Sequence, residues 1–134
     1  MNQKISAADI TATISRLCIE ANLHLPADVH CALNAAADQE ISPIGRAILR
    51  ELTANAESAV TKRLPICQDT GMAVVFAELG QDVHIIDGDF ESAIQAGVAQ
   101  GYKEGYLRAS VVNDPLLRQN TGDNTPAVIH TRIV

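Results

Sequence analysis

The sequence predicts an α/β (α+β) fold, an N-terminal helical bundle packed on a small mixed β-sheet segment. Three observations carry this. Apolar residues recur at helical spacing in three successive stretches up to about residue 63. Beyond Gly71 they change to short continuous runs of strand length. The 134 residues are 47% hydrophobic but only 3% aromatic, with no Trp, so the core is built from small aliphatic side chains that suit close helix packing.

The elements follow in order. Ser6 followed by Asp9 resembles a capping box, after which Ile10, Ile14, Leu17, Cys18 and Ala21 mark the inner face of a first helix over 7–22. Pro26 in a first turn, with Asp28 near the positive end of the dipole, opens a second helix that turns Val29, Ala32, Leu33 and Ala36 inward and fades near Gln39. Ser42-Pro43 repeats the start signal for a longer third helix. Its inner face is Ile44, Ala47, Ile48, Leu52, Ala56 and Ala59, and it ends before Pro65.

The run at 73–77 suits a buried strand, with Val83–Ile86 as its neighbour across a link containing Gly80. Asp89 caps a fourth helix whose inward positions include Ala93, Ile94, Gly97, Val98, Gly101 and Tyr102, small enough in part for close backbone approach. Two further strands are expected at 109–112 and 127–134, separated by the turn-forming segment 120–126. A chain of this length supports one domain, 1–134, with a helical part to about 63 and a mixed α/β part from 64. The last apolar run reaches Val134 without a polar tail, which suggests a chain cut inside a larger protein.

The formal charge of −6 and the absence of a basic run argue against a nucleic-acid partner. No stretch approaches the roughly 20 apolar residues of a membrane span, and the N-terminus has no signal-peptide apolar region. The cytoplasm is the expected compartment. Cys18, Cys31 and Cys67 are an odd number without tight spacing, which describes neither a disulfide framework nor a CxxC metal knuckle. Cys18 and Cys31 fall on predicted apolar helix faces and are expected to pack there. His24, His30, His84 and His130 show no ligand spacing and are expected on the surface or in loops.

Cys67 differs. Pro65 disfavours helix just before it and Gly71 permits an unusual turn just after it, so the thiol sits on a shaped loop beside the amide of Gln68, the carboxylate of Asp69 and the hydroxyl of Thr70. Two readings stand on local pattern: a connector in which Asp69 and Thr70 satisfy backbone donors, or a thiolate ligand to a metal that takes its other ligands elsewhere. Arg108 stands at a helix-to-strand boundary. It could grip a substrate carboxylate with its planar fork, or simply complement the helix dipole. The polar segment 120–126 could bind a ligand or form successive Asx turns.

Three segments stand in order: Pro-Ile-Cys67-Gln68-Asp69-Thr70-Gly71, Gly105-Tyr-Leu-Arg108-Ala-Ser, and Asn120-Thr-Gly-Asp-Asn-Thr-Pro-Ala-Val-Ile-His130. Together they closely resemble the class I fumarases, and more narrowly the N-terminal half of the alpha subunit of the two-subunit fumarase and tartrate dehydratase group. The resemblance covers essentially the whole chain, most specifically 64–130. It implies a hydro-lyase that interconverts fumarate and malate, a step of the tricarboxylic acid cycle, with tartrate dehydration as the alternative in the same family. It also implies a 4Fe-4S cluster held by three cysteines, of which Cys67 matches the first. Gln68 and Asp69 would line the pocket of a dicarboxylate substrate and Arg108 would grip one of its carboxylates. No residue is assigned as the catalytic base.

The sequence departs from that family pattern in one respect. The other two cysteine ligands lie downstream in the family, and this chain has no cysteine after Cys67. The base and further substrate contacts belong, in the family, to a C-terminal domain or beta subunit. The resemblance therefore implies an assembling fragment without its cluster, inactive alone, with that subunit or domain as partner in an oligomer. A domain that kept the fold as a non-catalytic binding module is the reading from another class.

Overall fold

The computed structural model describes residues 3–134. In chain order the elements are β1 (Gln3–Ser6), α1 (Ala7–Leu23), α2 (Ala27–Gln39), α3 (Pro43–Lys62), β2 (Val74–Leu79), β3 (Val83–Ile86), α4 (Phe90–Glu104) and β4 (Val128–Ile133). The α/β class and the four helices agree with the sequence. The chain divides into two compact units. One takes the chain up to Ile19 together with Gln68–Val134, and the other is Glu20–Cys67.

In the first unit the helix starts are as the sequence predicts. The Ser6 hydroxyl accepts from the Asp9 N–H at 3.0 Å and donates to the Asp9 carboxylate at 2.7 Å. Asp89 caps α4, its Oδ1 accepting from the Ser92 N–H at 2.9 Å. Against the N-terminal part of α1, α4 presents glycines: a Cβ on Gly97 would lie 2.7 Å from the Thr11 carbonyl oxygen, and one on Gly101 2.7 Å from that of Ser15. Ile94 and Val98 are fully enclosed, and Val98, Tyr102, Leu107 and Ala127 form the core with Ile14, Cys18 and Ala73 packed on it.

Hydrogen bonds from Ser92 hold the Asp89 carboxyl below the usual carboxylate range. A depressed folded-state value stabilises above the unfolded value, and that contribution is lost as the pH falls through the folded one. Wild-type stability should therefore decline faster below about pH 4 than that of Asp89→Asn, which keeps a capping oxygen without the titration. Parallel thermal-melt profiles for the two proteins would refute the assignment.

The strands depart from expectation in three ways. Both sheets are two-stranded and parallel, β1 with β3 and β2 with β4, where one mixed sheet was expected. Val83–Ile86 is therefore not the neighbour of β2. The Val83 N–H closes a turn onto the Gly80 carbonyl at 3.0 Å and the chain leaves for β1, while β2 takes β4 from Val74↔Val128 to Leu79↔Ile133. β1, four residues with no apolar alternation, was not expected at all. It is a strand because β3 pairs with it.

The third departure lies at 109–112, which makes only one isolated bridge, Val112↔Asn120. The Ser110 and Val111 N–H groups donate to the side chain of Asn124, at 2.6 and 3.0 Å, instead of to a neighbouring strand.

In the second unit α2 packs on α3. Ser42 caps α3 by accepting from the Gly45 N–H, Pro43 occupies the first turn, and Arg63 ends the helix in the left-handed region. The predicted inner faces are covered only in part, Ala56 and Ala59 on α3 being buried as expected. α3 buries Thr53, Ala56 and Ala59 but leaves Ile44, Ile48 and Leu52 at 74%, 57% and 47% exposure. On α2 only Ala37 is buried, and Cys31, expected to pack, is exposed. A helix of modest hydrophobicity has several nearly equivalent apolar faces, and the partner helix decides which is covered.

Candidate active site

Within the first unit, residues 68–71 of the first motif segment meet the other two segments in one hydrogen-bonded cluster. Gly71 adopts φ +63° with open space where a Cβ would be, so its backbone turn and not crowding calls for glycine. Its N–H donates to Asp69 Oδ1 at 3.4 Å. The Gly71 carbonyl accepts from Asn124 Nδ2 at 2.9 Å and from the Tyr102 hydroxyl at 3.2 Å. The Thr70 hydroxyl donates to the Arg108 carbonyl at 3.1 Å. Gln68 and Asp69 are thus carried on a loop tied directly to the backbone of Arg108.

Arg108 owes its direction to its neighbours. After α4 the Leu107 N–H bonds the Tyr102 carbonyl at 2.9 Å, Tyr106 takes φ +54°, and Leu107 enters the core at 7% exposure. Leu107 inside leaves Arg108 outside, and Arg108 is exposed, as are Gln68 and Asp69.

Asn124 is the residue that the sequence did not single out. It is fully buried, at φ +63°, and its side chain bonds backbone on both sides: two N–H groups on Oδ1, one carbonyl on Nδ2. The rest of segment 120–126 supports it by Asx-type bonds. Asn120 Oδ1 accepts from the Gly122 N–H at 2.6 Å, and Asp123 Oδ1 accepts from the Thr125 N–H and hydroxyl at 3.0 and 2.7 Å. The Thr125 bonds hold the Asp123 carboxyl below its ordinary range. Burial pushes the Tyr102 hydroxyl up, so it stays a donor to the 70–71 carbonyls at neutral pH.

Cys67 is the last residue of the second unit. Its predecessor Ile66 is pinned on both sides of its Cα: its N–H donates to the Asn22 carbonyl at 2.9 Å and its carbonyl accepts from Asn55 Nδ2 at 2.8 Å. Cys67 is exposed and not in a disulfide. Cys18 is half-buried, and desolvation raises its thiol pKa, which opposes the thiolate a metal needs. Among the described residues no group of three or more His, Cys, Asp or Glu could hold a metal ion. The exposed Cys67 thiol could offer one ligand, and these residues do not by themselves complete a metal site. Among them, too, no helix is long and apolar enough to cross a membrane.

The chain is 33% identical over 124 residues to a Methanocaldococcus jannaschii protein provisionally named L(+)-tartrate dehydratase subunit alpha, covering 89% of this chain and 43% of that one. It is 39% identical over 95 residues to the aerobic class I fumarate hydratase of Escherichia coli K12, covering 69% of this chain and 17% of that enzyme. Against the L(+)-tartrate dehydratase subunit alpha of the same strain it is 26% identical, with 92% and 40% covered. The chain thus spans less than half the length of these relatives. A family model described as fumarate hydratase (Fumerase) matches residues 11–134, a range that takes in all three motif segments, and on that match the chain belongs to the fumarate hydratase (Fumerase) family.

Proposed function

We propose that this chain supplies part of the active site of an iron-sulfur-dependent hydro-lyase that reversibly hydrates a small dicarboxylate, fumarate to malate, in the cytoplasm. Tartrate dehydration is the alternative within the family. The observation that carries the reading is the cluster in which Asn124, Tyr102 and Thr70 tie the Gln68–Asp69 loop to Arg108. An exposed arginine whose backbone is tied to the loop carrying an exposed amide and carboxylate suits a ligand with two carboxylates and a hydroxyl.

In this reading Arg108 holds one substrate carboxylate by paired N–H donation and balances the charge that builds as the neighbouring carbon loses its proton. The Gln68 amide donates to substrate oxygen, and Asp69 accepts from the substrate hydroxyl, fixing its direction. Cys67 contributes one thiolate to a 4Fe-4S cluster whose other ligands come from outside residues 3–134. When bound, the cluster supplies Lewis-acid assistance to departure of the hydroxyl. The base that removes the carbon proton is assigned to a partner, a beta subunit or C-terminal domain, in keeping with the alpha-subunit names of two relatives.

The test is an assay of the assembled enzyme, reconstituted with iron and sulfide without oxygen, on malate, fumarate and tartrate. Turnover of at least one is expected. Inactivity toward all three in an iron-loaded preparation would remove both named activities and favour a non-catalytic binding module.

A further inference from the structure

We propose that Asn124 is a positioning residue that sets the register between Arg108 and the Gln68–Asp69 loop, and so the fit of the site to a ligand with two carboxylates. This rests on the hydro-lyase reading above. Asn124 lies 16 positions from Arg108 along the chain and more than 50 from Asp69, yet it touches the backbone beside both. Its Oδ1 takes the N–H groups of Ser110 and Val111, which begin two residues after Arg108, and its Nδ2 reaches the carbonyl of Gly71, two residues after Asp69.

Asparagine is suited to this place by chemistry. The position needs an acceptor for two N–H groups and, on the same planar group, a donor for a carbonyl. Aspartate has the acceptor but would turn a second oxygen toward the Gly71 carbonyl, serine is too short to reach both sides, and glutamine is too long for a fully enclosed cavity. The backbone at φ +63° adds a further restriction, since asparagine and glycine tolerate the left-handed region best. The Thr70–Arg108 bond ties the same two segments and the Tyr102 hydroxyl holds the loop to α4, so loss of Asn124 should shift their register without separating them.

The experiment is a double-mutant cycle in the assembled enzyme. Asn124→Asp should lower kcat/KM for the dicarboxylate about 100-fold, mainly through KM, the scale expected when binding groups are misplaced by about 1 Å. In an Arg108→Lys background the same change should cost less than about threefold, because the grip whose register it sets is already lost. Equal losses in both backgrounds would show a merely structural role and overturn the proposal.

Should Asn124→Asp fail to fold, Asn124→Gly keeps the left-handed backbone without strain and replaces it in the cycle. Amide hydrogen exchange gives a readout independent of turnover. In Asn124→Gly, protection should fall together at 69–71 and at Ser110 and Val111, while Val98 and Gly101 stay protected. Unchanged exchange at 69–71 would overturn the coupling even in a protein that proves inactive, whereas an inactive wild type with coupled exchange would count against the hydro-lyase reading alone.

Discussion

Cys67→Ser is expected to abolish turnover of the assembled enzyme and to lower its iron content, while leaving the chain folded. Serine preserves the shape of the residue, but its hydroxyl stays protonated at neutral pH and offers no soft anionic ligand. Replacing a group that merely orients a metal ligand already costs about 10- to 100-fold in affinity or activity, so losing a ligand itself should cost at least about 100-fold. The fold should tolerate the change because Cys67 is exposed, and the peptide before it is held by Asn22 and Asn55 independently of the thiol. Cys31→Ser, exposed on α2, is the matched control and should leave iron and activity as they are. Undiminished iron and activity in Cys67→Ser would remove Cys67 from the cluster.

The largest effect on stability is expected from Gly101→Val. A Cβ at this position would sit 2.7 Å from the Ser15 carbonyl oxygen, 2.9 Å from the Cys18 Cβ and 3.0 Å from the Ser15 Cα. Two of those three atoms are backbone and the third is fixed directly to it, so relief requires α1 and α4 to move apart. Leaving glycine gains a few tenths of a kcal/mol in helix propensity, whereas overpacking a tight core costs about 1–3 kcal/mol and occasionally more. Overpacking wins. With two γ-carbons to place beyond that Cβ, a loss of roughly 3 kcal/mol or more is expected in urea or thermal unfolding, a large part of the 5–15 kcal/mol typical of a domain. Gly45→Ala is the contrast. Its Cβ meets only the flexible Glu40 side chain, at 2.9 Å, so the propensity gain should prevail. A Gly101→Val protein as stable as wild type would refute the close-packed α1–α4 contact.

The helices were legible because their signals are local. Ser6, Ser42 and Asp89 act within three residues of themselves, and the structure has each where it accepts an N–H of the first turn. Which apolar face is covered was legible only where it was crowded with small residues. On α4 the predicted Ala93, Gly97, Val98 and Gly101 are all buried, while on α3 the predicted Ile44 and Ile48 are exposed. Strand partners were not legible. β1 carries no period, and the run at 109–112 looks like a strand until its N–H groups are found on Asn124.

Of the site, the sequence by itself determined the chemical inventory: a thiol on a shaped loop, an amide and a carboxylate next to it, and an arginine at a helix end, in an order that resembles one family. Only the tertiary structure decided that the loop of Gln68 and Asp69 is tied to the backbone of Arg108, and that a residue indistinguishable from its turn-forming neighbours, Asn124, makes the tie. The reason is physical. A cap or a turn is satisfied by atoms a few residues away, so its partners stand beside it in the chain. A buried amide bonding backbone 13 and 53 residues distant has no local signature, because its partners are chosen by the packing of the core around it.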